Sequence, residues 1–88
     1  MRGPVPERRL VVTVERPEDR HGLIGCLRAC GAQPEPLTDC DVAVELDQPG
    51  CPGLATLVAE IEAWRCSGRG GTVVLALGGE RRVLRTEA

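Results

Sequence analysis

The side chains with the most chemistry to offer are one histidine, His21, and five cysteines: Cys26, Cys30, Cys40, Cys51 and Cys66. Cys26 and Cys30 stand four apart, a spacing that places two soft metal ligands on one helix face. Structural zinc takes four ligands, and the chain has neither a C-x-x-C pair nor a second cluster to complete the set. In a reducing compartment a buried cysteine acts as a small hydrophobe. That is the reading adopted, with no metal site and no cofactor expected. Thiol catalysis would need His21 as base beside Cys26, but residues five apart on a helix point to different sides. No catalytic residue is expected, and the chain reads as a non-enzyme.

The charged side chains exclude further classes. All eleven basic residues are arginine, and lysine and asparagine are absent, the coding bias of a GC-rich bacterial genome. The net charge is −2 and the arginines are scattered, so no nucleic-acid partner is expected. Trp64 is the single aromatic residue and lies on a helix, which leaves no sheet platform for stacking bases. Gly68, Gly70 and Gly71 follow a helix instead of opening one, unlike a phosphate-binding loop. No apolar run approaches the roughly 20 residues of a membrane span, and the opening M-R-G-P-V-P-E-R-R lacks the apolar stretch of a secretory leader. The expected location is the cytoplasm, with no membrane partner.

The 88 residues suffice for one domain, expected over residues 8–88 after a loose lead-in, Met1 to Glu7, that carries two prolines. Leu10-Val11-Val12-Thr13-Val14 reads as a central strand with Leu10, Val12 and Val14 facing the core. Pro17, Glu18 and Asp19 suit a helix start. Leu23, Ile24, Leu27 and Cys30 then form one stripe, and Gly31 supplies the left-handed residue after the helix. Gly22 and Gly25 each cost about 1 kcal/mol inside a helix, so close packing is expected there. Gln33 to Leu37, with two prolines, is an edge strand or extended loop, and Thr38-Asp39 a turn. Asp41 to Leu46 alternates as a strand burying Val42, Val44 and Leu46. Pro52 opens a second helix whose stripe is Leu54, Leu57, Val58, Ile61 and Trp64, ended by Ser67 to Gly71. Thr72 to Leu77 is a strand, Gly78-Gly79 a two-residue hairpin, and Arg82 to Thr86 a returning strand whose arginines guard an edge.

The order is β-α-β-β-α-β plus one strand, which predicts an α+β, ferredoxin-like sandwich: an antiparallel sheet with two helices on one face and an appended C-terminal edge strand. Val11, Thr13, Glu15, Ala43, Glu45, Val74 and Ala76 would share the other face, half apolar and free of large side chains. Pairing of that face with a second sheet is expected, in a homodimer or with a protein partner.

With that fold in view, Asp19-Arg20-His21-Gly22-Leu23-Ile24 after a valine-rich strand resembles the D-R-P-G-L-L start of the first helix in ACT domains, regulatory modules that bind amino acids and related metabolites. The likeness runs from about Leu10 to Ala32. It implies an amino-acid-sized ligand near Asp19, Arg20, His21 and Gly22, with the Gly22 backbone N–H approaching a carboxylate and Asp19 as the loop acid. His21 stands where the motif has proline, and the second strand is broken by prolines. Leu54 to Arg85 is also similar in outline to small effector-associated components of actinobacterial conflict systems. Other versions of the fold are set aside on their residues: acylphosphatase chemistry needs an asparagine, and copper carriers need two cysteines between Glu15 and Gly22. The expectation is a non-catalytic regulatory or ligand-sensing module acting through dimerisation. The alternative is an adaptor that docks a partner by its open sheet face or last strand.

Overall fold

The computed structural model describes residues 9–69 and 71–85, so the lead-in Met1 to Glu7, Gly70 and Thr86 lie outside the described residues. The chain runs β1 (Arg9–Val14), α1 (Pro17–Ala29), β2 (Pro34–Pro36), β3 (Asp41–Glu45), α2 (Leu54–Trp64), a π-helical turn (Arg65–Arg69), β4 (Val73–Leu77) and β5 (Glu80–Leu84). The five strands form one antiparallel sheet in the order β2-β3-β1-β4-β5. It is an α+β fold in which β1 lies between β3 and β4.

β1 has the alternation its residues predict. Leu10, Val12 and Val14 are buried while Val11 and Thr13 are half-buried. The even-numbered positions of β1, with Val42, Val44, Val73, Leu75 and Leu84, form the floor of the core, and Leu23 and Leu27 of α1 and Leu57 and Ile61 of α2 cover it. Both helices therefore lie on one side of the sheet.

α1 starts without a side-chain cap; Pro17 and the acids Glu18 and Asp19 suit its positive dipole end instead. Its far end is closed twice: Gly31 N–H donates to the Arg28 carbonyl (3.1 Å) and Ala32 N–H to the Leu27 carbonyl (3.0 Å). Gly31 has φ +102°, which a side chain would strain, so the expected glycine stop is present as a Schellman motif. β2 is the short edge strand that two prolines allow. Beyond it Leu37 N–H donates to the Asp41 carbonyl (2.8 Å). Thr38 Oγ1 accepts from the N–H groups of Cys40 (3.2 Å) and Asp41 (3.1 Å), fixing the turn into β3.

Several boundaries differ from expectation. α2 begins at Leu54, with Gly53 rather than a proline-led turn at its cap, and the helical path runs on through the π turn where a loop is expected. Leu54 lies in the first turn of α2 and is 38% exposed instead of joining the core stripe. Leu46 falls just past the end of β3 and is only partly buried. The last strand starts at Glu80, two residues before Arg82, because the tight Gly78-Gly79 turn pairs Leu77 directly with Glu80.

Leu57 is fully buried between α2 and the sheet. Leu57→Ala is expected to lower the unfolding free energy by about 2–5 kcal/mol, read from urea denaturation monitored by circular dichroism.

Candidate functional site

Asp19, Arg20, His21 and Gly22 occupy consecutive positions in the first half of α1. At about 100° per residue they fan round the helix instead of sharing one face. Asp19 turns inward, with its side chain 10% exposed and its Oδ2 3.2 Å from Arg16 Nε. Arg20 Nη1 donates to the Thr38 carbonyl (2.8 Å), tying α1 to the turn before β3. His21 is exposed. Gly22 is the sixth residue of α1, past the four N–H groups that lack partners at a helix start. Its close neighbour is the Trp64 indole: a Cβ at Gly22 would lie 3.2 Å from Trp64 Nε1. So Gly22 has the packing reason expected of it, where α1 meets α2. Gly25 has none, since a Cβ there meets nothing within 4 Å.

The open sheet face is built by the strand register. One row across it is Glu35, Ala43, Val11, Ala76 and Arg81; the next is Asp41, Thr13, Val74 and Val83. Val11, Thr13, Val74 and Ala76 are half-buried, and Val83 is 50% exposed. Ala43, expected to be presented to a partner, is 2% exposed, because its short side chain lies in register between Glu35 and Val11. Glu45 is turned to Arg9, whose Nε is 3.5 Å from its carboxylate and whose Nη2 is 4.0 Å from Glu35. Thr13 Oγ1 donates to Asp41 Oδ1. Polar groups at the β3 side are thus joined to one another, and the centre is left apolar. At the far end of β1, Glu15 Oε1 accepts the Thr72 N–H (3.0 Å) and occupies the space a side chain on Gly71 would need.

The thiols are all free. Cys26 donates to the Glu60 carbonyl (3.6 Å), Cys30 to that of Leu27 (3.2 Å) and Cys51 to that of Pro52 (3.4 Å). Burial pushes the Cys26 thiol pKa up, helped by Cys30 and the Glu60 carboxylate. Burial and Cys30 push that of Cys51 up in the same direction. Among the described residues no three cysteine, histidine or acidic side chains are placed to hold a metal ion.

Two features escape sequence reasoning. Arg65 is 6% exposed, and its Nη2 donates to Glu62 Oε1 (2.9 Å), a contact that the E-x-x-R spacing signals only if the helical path is known to continue. The other is a groove of about 260 Å³ between α2 and the β4–β5 hairpin, floored by leucines and valine and rimmed by Glu80 and Arg82. Its sequence trace is Leu54, an apolar residue at the end of a stripe with nothing left to cover it.

Gly22→Val is expected to cost about 1–3 kcal/mol by overpacking against Trp64 and to shift the tryptophan emission; Trp64→Leu in the same chain should recover part of the loss. At pH 8 iodoacetamide should label Cys26 and Cys51 more slowly than an unperturbed thiol, since less thiolate is present. The rate should keep rising at more alkaline pH, followed peptide by peptide in a mass spectrometer. No protein-family model, no curated protein and no solved structure matches the chain, so its own residues are the guide to its function.

Proposed function

We propose that this chain is a non-catalytic regulatory module of ACT-like type that acts as a homodimer, joined through the open face of its sheet. The observation that carries the reading is the apolar centre of that face. Val11, Val74 and Ala76 stand half-buried, with Val83 50% exposed beside them, on the side of the sheet opposite α1 and α2. Burying such side chains gains about 25 cal/mol for each Å² of apolar surface removed from water. Their small size allows a second sheet to approach closely.

The finer fold reading belongs to the same proposal. β1 and β2 run parallel with β3 between them, and β3 and β4 run parallel with β1 between them. Each parallel pair is linked through one helix. Two such split βαβ units interleaved make a ferredoxin-like sheet, to which β5 is an addition. The ACT-like ligand site at Asp19, Arg20, His21 and Gly22 rests on the local resemblance.

The adaptor reading has its own support in β5, an edge strand with Arg81 and Arg82 exposed and Arg85 just beyond. This suits a partner strand that carries carboxylates.

Sedimentation velocity separates the two readings. The homodimer predicts a dimeric protein at micromolar concentration and a monomeric Val11→Glu, Val74→Glu variant with an unchanged circular dichroism spectrum. A monomeric wild type, or a double variant that stays dimeric, would rule out the open face as the contact.

A further inference from the structure

On the other side of the sheet from the proposed dimer contact, the groove beside α2 is unfilled. Leu10, Leu75 and Leu77 of the sheet and Leu54 and Val58 of α2 line it. Every one of these side chains is aliphatic, so the groove offers no side-chain hydrogen bond to the body of an occupant. Leu10 is 1% exposed and Leu75 5%, so the floor is continuous with the core, while Leu54 at the lip is 38% exposed.

The charges sit on one side of this groove. In β5, Leu84 is buried in the core, so the strand alternation places Arg82 and Glu80 on the helix side with it. Arg82 pairs in register with Leu75, and Glu80 with Leu77 beside the Gly78-Gly79 turn. Arg81 also borders the groove, but the alternation turns its side chain to the opposite face, in the row with Ala76 and Val11. Among the described residues the side chains of Arg81, Arg82 and Glu80 make no ion pair or hydrogen bond. Arg82 and Glu80, two apart on one face, form no ion pair with each other. The rim therefore sets one guanidinium, that of Arg82, and one carboxylate, that of Glu80, at the lip of an aliphatic floor.

We infer that the groove between α2 and the β4–β5 hairpin binds an aliphatic monocarboxylate of medium chain length, its carboxylate on Arg82 and its hydrocarbon tail over Leu10, Leu77 and Leu54. The planar fork of the guanidinium receives a carboxylate in two parallel hydrogen bonds. Glu80 repels a second anionic group, which selects against dicarboxylates. At about 260 Å³ the space lies below the roughly 300–1,000 Å³ of pockets for drug-sized ligands. That limits the occupant to a short, unbranched or lightly branched chain. This site goes beyond the dimer reading and does not depend on it.

The test uses the 88-residue protein and sodium octanoate below its micelle concentration, followed by amide chemical shifts and calorimetry. The expected result is saturable binding with shifts confined to Leu10 and its neighbours and to residues 54–58 and 75–82. It should weaken about tenfold or more in Arg82→Ala, in line with the loss of a charged hydrogen-bond pair, and in Leu54→Asp. Octan-1-ol, with the same chain and no charge, should bind more weakly than octanoate. Arg85→Ala, an equal change of charge outside the groove, should bind as wild type. The Val11→Glu, Val74→Glu variant should also keep its octanoate binding, which separates failure of this site from failure of the dimer. Absence of saturable binding would overturn the inference, as would equal affinity in a folded Arg82→Ala. L-leucine binding more tightly than octanoate would also overturn it, since the rim would then be selecting a zwitterion.

Discussion

The fold depends on β1 having a neighbour on both sides. Its backbone bonds to β3 across Arg9–Thr13 and to β4 across Leu10–Val14, so neither edge of the strand meets water. With both edges taken, the side-chain alternation of β1 decides which surface of the whole sheet is covered. Leu10, Val12 and Val14 collect the helices, and Val11 and Thr13 are left on the bare side. A slip of one residue in either ladder would exchange the two sets. The register of this one strand therefore fixes where a partner can dock and where a groove can form.

The helices are held to that floor by contacts with little tolerance. Gly22 gives the Trp64 indole room to lie against α1, and Arg20 fastens the same helix to the turn before β3. At the other end of α1 the Gly31 stop sends the chain directly into β2. α2 is less tightly seated at its start. Leu54 and Val58 overhang the β4–β5 hairpin without filling the space beneath, and the groove is the result. The polar groups at the head of α1, which sequence alone nominates for ligand contact, are largely committed to positioning that helix.

Much of this was legible in advance because it rests on periodicity. Alternating valines in β1 and β3, the apolar stripes of both helices and the Gly78-Gly79 hairpin are local signals, and each has its counterpart in the structure. What escaped depends on register between distant segments. The pairing of Leu77 with Glu80 starts the last strand two residues earlier and sets Arg82 opposite Leu75, on the helix side of the sheet. Ala43 looks like an interface residue from its parity, yet its cross-strand neighbours leave it almost no exposed surface. Asp19 carries a motif's acid in the sequence, but its partner, Arg16, sits at the helix cap, a contact visible only once the turn is built.

The two prolines of β2 have a consequence for assembly. Since the N–H of Leu37 points inward to the Asp41 carbonyl, residues of the opposite parity, Pro34 and Pro36, turn their backbone nitrogens outward. Proline has no hydrogen to give there, so this margin of the sheet cannot donate to an incoming strand. The opposite margin, β5, keeps its donors. Open-ended stacking of sheets side by side requires two mutually compatible margins on every copy, and this chain has one. Copies that meet edge to edge through β5 pair two at a time, so the joining of margins alone does not extend the sheet from copy to copy.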